Sequence, residues 1–371
     1  MQIKKLKYIV LAIIGAVILA DIYVVCNTKR SWKFISIPDF YNNDIDFPDS
    51  RVDDTIDFVL NAISKEHPDF VVVPGDLVMG RWYAKKDPAS GKLRFAALEH
   101  MKEKAGRYYL SWIKRMDEHG LKYYPVMGDH DIGDNPWPYP KIRYVPEMVS
   151  QFVGHFGLES PTYYVVHNET LLIMLNVFEK HSRSIKVGVS DSSMKYLQDI
   201  VDKYQDVRHK IIIGHVPVLM DPRILGHMSF DEERVPGFLD FMKENKVDLY
   251  LCGEIHRINV VKKDGFYQVA NGSNFLRQNN INYLIVELEK NRISLQIKKI
   301  ETEVSGKEDF NNELNPLNKK SVKIPAAQKK KGFVSVGKMI ISKSMTGSRK
   351  IKLQGCFKSD LYDFDENRSP Y

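Results

Sequence analysis

Cysteine is scarce in this chain of 371 residues. The three present, Cys26, Cys252 and Cys356, are too few and too scattered for a disulfide framework or a zinc cluster. Cys252 lies in the apolar run VDLYLCG, where a free thiol serves as a small core filler. No internal repeat divides the chain. Acidic residues are missing altogether between Leu314 and Ser359, a stretch that holds 12 Lys or Arg. Taking those 12 charges from the net +7 leaves −5 for the rest, so the basic excess is local and the remainder is mildly acidic. A nucleic-acid-binding surface spread over the whole chain is not what this pattern describes. The 43% hydrophobic content excludes a disordered protein and suits one large α/β domain or two ordinary ones.

Polar residues are also missing from Tyr8 to Ala20, an apolar run flanked by MQIKKLK and continued past Asp21 as IYVVC. The run before Asp21 has the length of a signal-peptide core, while Tyr8–Cys26 as a whole is just long enough for one membrane anchor. A helix with no polar face is a poor soluble core helix. Either reading exports the rest of the chain. The anchor is favoured because Ile18 and Ala20 make only a passable cleavage site, which places the remainder on the membrane outside the cytoplasm; the alternative is secretion after cleavage. Lys29, Arg30 and Lys33 on the far flank blur the orientation signal.

Beyond residue 30 the pattern alternates. KFISIP reads as a strand, VDDTIDFVLNAISKEHP as a helix, and DFVVVPGD as a strand that is apolar on both faces, as parallel strands covered by helices are. Residues 94–119 form the longest helical stretch, stopped by Gly120 before the strand LKYYPVMG. TYYVVH, LLIMLNVF, KIIIGH, DLYLCGEIH and FYQVANG read as further strands. SSMKYLQDIVDKY and FDEERVPGFLDFMKENK read as helices, and INYLIVELEK with RISLQIKKIE as antiparallel strands. The chain divides into residues 1–30 (anchor or signal peptide with a short linker), 31–313 (catalytic domain) and 314–371 (a basic, partly flexible tail with at most one hairpin).

Five of these strands end in side chains that can bind metal: IPDFY (Asp39, Tyr41), VVVPGD (Asp76), PVMGDHD (Asp129, His130, Asp131), IIIGH (His215) and LCGEIH (Glu254, His256). Ligands bind at the carboxyl ends of strands in α/β sheets, so five such ends can face one pocket. Glycine precedes Asp76, Asp129, His215 and Glu254, which permits a sharp turn and close approach of the backbone. Four carboxylates, two imidazoles and a phenol would repel one another without a counter-charge. Bound cations supply it, and two of them a few Å apart could clamp the attacking and leaving oxygens of a phosphoryl transfer.

The order of these loops resembles the calcineurin-like metallophosphoesterase superfamily, whose pattern is Asp-x-His, Gly-Asp, Gly-Asn-His-Asp/Glu, a lone His after a strand, and Gly-His-x-His. The resemblance runs from about Lys33 to about Ile300. It implies a four-layer α/β/β/α sandwich of two mixed sheets, here preceded by an N-terminal hydrophobic helix. It also implies hydrolysis of phosphate esters by a metal-bound hydroxide at a dinuclear site. Carried over by position, Asp39 and His256 would hold one metal with Tyr41 as a possible phenolate; Asp129, His215 and Glu254 would hold the other, and Asp76 would bridge. His130 would contact the phosphate or protonate the leaving oxygen, with Asp131 orienting it.

Three positions depart from the family pattern: Tyr41 and Glu254 stand where it has His, and Asp129 where it has Asn. The donor set is harder and more anionic for it, which favours two divalent or trivalent ions of manganese, iron or magnesium over zinc. Tyr41 could instead hydrogen-bond the substrate or simply pack. Arg81 in GDLVMGRW could bind a phosphate oxygen, and Asn135 and Trp137 in GDNPWP would wall the pocket. His227 could line the cleft, although nothing in its spacing requires it. His67, His100, His119, His155, His167, His181 and His209 carry no motif and read as solvated.

The expected substrate is a phosphorylated small molecule or lipid, with the membrane as partner through the N-terminal segment and nucleic acid unfavoured. The competing reading is a degenerate family member that works at the membrane as a binding or scaffolding module. A further alternative gives the basic tail the task of binding anionic lipid or nucleic acid by charge.

Overall fold

A computed structural model of the chain describes residues 31–42, 50–78, 80, 84–86, 93–95, 98–133, 141–273, 281–304, 308–311, 322–325, 328–344 and 348–365. Among these no helix is long and apolar enough to cross a membrane. The apolar run 8–26, on which the N-terminal helix and the anchor were expected, lies outside them.

Alternating apolar runs fold into two large sheets. The first takes β1 (Trp32–Ser36), β2 (Phe70–Pro74) and β3 (Tyr123–Val126) from the N-terminal part. The second is built on β4 (Tyr163–His167), β5 (Thr170–Met174), β6 (His209–Ile213), β7 (Leu249–Cys252), β8 (Ile258–Lys263) and β9 (Phe266–Asn271). The chain then returns to the first sheet with β10 (Asn282–Glu289), β11 (Arg292–Val304), β12 (Gln328–Lys343) and β13 (Arg349–Gly355), and closes the second with β14 (Leu361–Asp363). The strand orders are β13-β12-β11-β10-β1-β2-β3 and β14-β8-β9-β7-β6-β5-β4. Both sheets are mixed: β1, β2 and β3 run parallel, as do β5, β6, β7 and β9, while β10 to β13 pair antiparallel.

The two-residue period of each strand sorts its side chains into layers. Phe34, Phe70, Val72, Leu284 and Val286 of the first sheet meet Ile211, Ile213, Leu249 and Leu251 of the second in one buried cluster between the sheets. Their chain neighbours Ile35, Val71, Val73 and Ile212 belong instead to the cluster that reaches the helices. In α1 (Ser50–Lys65), Ile56, Val59, Leu60 and Ile63 recur at spacings of three and four and are fully buried in that cluster, the signature of one helix face laid on a sheet. α2 (Leu98–Glu118) buries Met101, Ala105, Tyr108, Tyr109, Trp112 and Met116 in the same way. With α3 (Asp129–Ile132), α4 (Val145–His155), α5 (Asp191–Lys203) and α6 (Val235–Glu244), the fold is a mixed α/β one of two large mixed sheets and helices, with a core shared between the sheets.

Two expectations need correction. The long helix starts at Leu98, and Arg94 and Phe95 belong to a short strand, Leu93–Phe95, paired with Ala84–Lys86. The C-terminal region is not a tail appended to the fold. β12 pairs with β11 over 13 residue pairs, β13 forms the expected hairpin with it, and β14 adds a parallel strand to the other sheet. Met339 and Ile341 lie fully buried between the sheets. An alternating apolar period hidden among lysines carried this signal, with Val334, Val336, Met339, Ile341, Ile351 and Leu353 as its members.

Candidate metal centre

Every motif loop leaves the carboxyl end of a parallel strand. β1 leads to Asp39 and Tyr41, β2 to Asp76, β3 to Asp129, β6 to His215 and β7 to Glu254 and His256, so both sheets contribute to one place. The loops extend the strand ladders: Asp39 N donates to Gly75 O at 3.1 Å, Tyr41 N to Asp76 O at 2.9 Å, and Gly253 N to His215 O at 2.9 Å. Just below, Ser36 and Asn271 tie the sheets together through two buried hydrogen bonds of 3.1 Å.

The approach is too close for side chains at the preceding glycines. A Cβ on Gly75 would lie 2.3 Å from His215 Nδ1, and one on Gly128 would lie 2.2 Å from Asp76 Oδ1. The left-handed backbone, however, falls mostly on the functional residues themselves. Asp39, Tyr41, Asp76, Glu254 and His256 all have φ between 49° and 64°, a region that costs an L residue about 1 kcal/mol or more and persists where the surroundings enforce it.

Asp76, Asp129, His215 and Glu254 bring one ligand atom each to within 4.8 Å of one another, and Asp39, Asp76 and His256 do the same. Asp76 belongs to both groups. His215 is fully buried; its Nδ1 donates to Pro74 O at 2.8 Å, since a carbonyl can only accept. Nε2 is thereby aimed at Asp129 Oδ1 (3.1 Å), Glu254 Oε2 (3.3 Å) and Asp76 Oδ1 (3.4 Å). An imidazole fixed through one nitrogen by a backbone carbonyl is how metal-binding histidines are held.

The electrostatics are those of a site short of positive charge. Burial, opposed by His215 and reinforced by the charges of Asp76 and Glu254, holds the Asp39 carboxyl well above its usual range. Burial and the charge of Asp129 push Asp76 up to about 7. His215 moves upward despite burial, because Asp76, Asp129 and Glu254 favour its charged form. Burial likewise opposes charge on Glu254, but its hydrogen bond to His215 and the nearby His227 hold it low. Asp39 Oδ2 and Asp76 Oδ2 are buried without a hydrogen-bond partner. Hard oxygen donors, buried and unsatisfied around an imidazole, fit a hard cation.

One predicted role changes. Asp131 does not stand behind His130: its Oδ2 accepts from Gly128 N at 2.8 Å, Asp76 N at 3.0 Å and Leu77 N at 3.5 Å. It therefore clamps the loops after β2 and β3 together, and its other oxygen is buried without a hydrogen-bond partner. Tyr41 shares a 2.7 Å hydrogen bond with His256 Nε2, a task that was not among its expected ones. Burial and the charges of Asp76 and Asp39 raise the phenol well above its usual range, so it stays protonated when no cation is bound.

His130 stands at the rim, its side chain 20% exposed, Nε2 4.0 Å from Asp129 Oδ2 and its ring edge-on to Tyr41. Sequence spacing gave no reason to place His227 here, yet its Nδ1 lies 3.6 Å from Glu254 Oε1 and its ring stands edge-on to His256 at 5.1 Å. His209, read as solvated, is buried beside Asp248 at the other end of the sheets. Cys252 is a buried free thiol, as expected. Arg81, Asn135 and Trp137 lie outside the described residues.

Among solved structures, PhoD matches over 90% of this chain and 73% of its own, with 8% sequence identity and a TM-score of 0.53. GAP50, the anchor in the inner membrane complex of Plasmodium, matches over 82% and 89% with 13% identity and a TM-score of 0.42. A putative 5'-nucleotidase from Staphylococcus aureus, solved with α-ketoglutarate, matches over 92% and 56% with 9% identity and a TM-score of 0.36. At 8% identity the likeness to PhoD concerns the fold alone. No curated protein matches the chain in sequence. The family description "Calcineurin-like phosphoesterase" matches residues 17–257, a span that holds every ligand loop from Asp39 to His256. With that match over more than half its length, the chain belongs to the calcineurin-like phosphoesterase family.

Proposed function

We propose that this protein hydrolyses phosphate esters with two bound cations, held by the buried cluster in which Asp76 is common to both ligand groups. That sharing is the observation that carries the proposal. Asp129, His215 and Glu254 would hold one cation, Asp39 and His256 the other, and Asp76 would bridge. Manganese, iron or magnesium suits the oxygen-rich donors better than zinc. Cations bound there supply Lewis acidity toward phosphoryl oxygens and make water a nucleophile at neutral pH.

The chain's own residues supply the rest. His130, partly exposed at the rim and beside Asp129, would give a proton to the leaving oxygen from Nε2. Asp131 acts through the backbone, keeping the loops of Asp76 and Asp129 in register. Arg81, Asn135 and Trp137 complete the proposal on the substrate side, Arg81 as a bidentate partner for a phosphate oxygen. The substrate class is a phosphorylated small molecule or a lipid. Attachment to a membrane through residues 8–26, with the domain outside the cytoplasm, rests on the apolar run alone.

The test is hydrolysis of mono- and bis-nitrophenyl phosphate by the full chain, stripped of metal and reloaded with manganese, iron or magnesium in turn. Cation-dependent release is expected, and the ratio of the two rates separates a monoesterase from a diesterase. A second reading has Tyr41 on His256 as the mark of a lost site, in a protein that binds without turning over. No release with any cation, from a folded protein, would favour it over the proposal.

A further inference from the structure

Glutamate 254 stands where the family pattern has a histidine, and the exchange creates a mechanical problem. An imidazole is rigid beyond χ2, whereas a glutamate carboxylate swings on one more torsion and must be held to aim as well. The loop between His215 and α6 holds it. Met228 N donates to Glu254 Oε1 at 2.9 Å, and His227 Nδ1 lies 3.6 Å from the same oxygen. The second oxygen, Oε2, is left facing His215 Nε2 and the Asp76–Asp129 group.

The loop is itself anchored. Phe230 is buried and its N–H donates to Pro217 O at 3.0 Å, while Asp231 N donates to Val187 O at 2.9 Å. The His227 ring is braced edge-on against His256, with centroids 5.1 Å apart and planes at 88°. One oxygen of Glu254 is thus gripped from outside the cluster while the other points in.

We propose that His227 is a positioning residue for Glu254, part of a loop that lets a glutamate serve where the family pattern has a histidine. This rests on the cation-binding reading of the site. His227 acts through Glu254 and is not itself a ligand. Partners that orient a metal-binding side chain typically contribute 10- to 100-fold in metal affinity.

The test is a double-mutant cycle on the full chain, read as Mn²⁺ affinity by calorimetry and as bound manganese by mass spectrometry. His227→Ala should weaken Mn²⁺ binding about 10-fold, and His227→Gln, which keeps an N–H donor, should lose less. In Glu254→His and Glu254→Ala backgrounds, which lack the carboxylate, His227→Ala should change nothing further. Unchanged Mn²⁺ binding by His227→Ala in the otherwise native chain overturns the inference alone. So does an equal loss in every background, which would make His227 a ligand. A native chain that binds no cation overturns the proposed function and this inference with it.

Discussion

The fold buries carboxylates at both ends of its parallel strands and treats them in opposite ways. At the amino end, Asp248 just before β7 is 1% exposed and receives Lys343 Nζ at 2.7 Å and Lys210 N at 3.0 Å, with His209 Nδ1 at 3.7 Å. Burial pushes this acid up, but His209 and Lys343 more than offset it and hold it below the usual carboxylate range. At the carboxyl end, Glu254 apart, which His215 and His227 hold low against burial, the acids Asp39, Asp76 and Asp131 are pushed up, burial being the first cause, and His215 is set against several carboxylates at once. One end carries its own cation. The other is arranged as if the cation comes from outside, which is the physical content of calling it a candidate metal centre.

Removing the shared ligand should break the comparison most completely. Asp76→Asn keeps the shape of the side chain and removes a charge from both ligand groups. Cation affinity should fall by at least about 100-fold, the upper end for partners that merely orient ligands, and turnover should go with it. Mass spectrometry of the purified variant reads this directly, and full cation content would refute the bridging role. The next largest effect belongs to the other end. Lys343→Met leaves Asp248 buried with its countercharge gone, and should cost roughly 3 kcal/mol of stability, the low end for breaking a buried pair. Cation binding should be untouched, because this cluster flanks the opposite ends of β6 and β7. Adding Asp248→Asn should recover part of the loss in thermal unfolding; a Lys343→Met protein as stable as the native chain would show that the lysine matters little.

The contrast also marks how far the sequence could be read. The site was legible because its residues are tied to strand ends, and an apolar run closed by Gly and an acid is a local pattern. VVVPGD, PVMGDHD and IIIGH needed no knowledge of which strand pairs with which. Asp131 was misread for a related reason: chain adjacency suggested His130 as its partner, whereas the turn of α3 points its carboxylate back to Gly128 N and across to Asp76 N. His227 was out of reach, since its relation to Glu254 exists only once α6 and β7, which lie between them in the chain, have folded. The backbone strain at Asp39, Tyr41, Asp76, Glu254 and His256 leaves no compositional trace, because glycine is the residue such a φ ordinarily selects. A hairpin was expected in the basic region, but its place in the two sheets went unseen because twelve cations without an acid read as a solvated segment. The alternation of Met339, Ile341, Ile351 and Leu353 was the stronger fact, and it puts Lys343 where Asp248 needs it.

The smallest effect sharpens the comparison instead of breaking it. In the metal-stripped protein, burial together with the charge of Asp129 places Asp76 at about 7, and burial with the charge of Asp76 places Asp131 at about 8, against 3.8 for an unperturbed aspartate. Between pH 4 and pH 8 the native state therefore keeps protons that the unfolded chain releases, so stability falls as pH rises through that window. His215 adds to the same slope: its raised value stabilises the fold below its ordinary 6.5 and is lost as pH climbs through the folded one. Each extra proton held by the native state is worth about 1.4 kcal/mol per pH unit. Bound cations take over from those protons, so the slope should flatten when manganese is added. Thermal unfolding at pH 5, 6, 7 and 8 should show the stripped protein losing a few degrees more than the loaded one across the range, with the stabilisation by manganese largest at pH 8. Parallel curves would mean that these carboxylates already have their counter-charge within the chain, as Asp248 does.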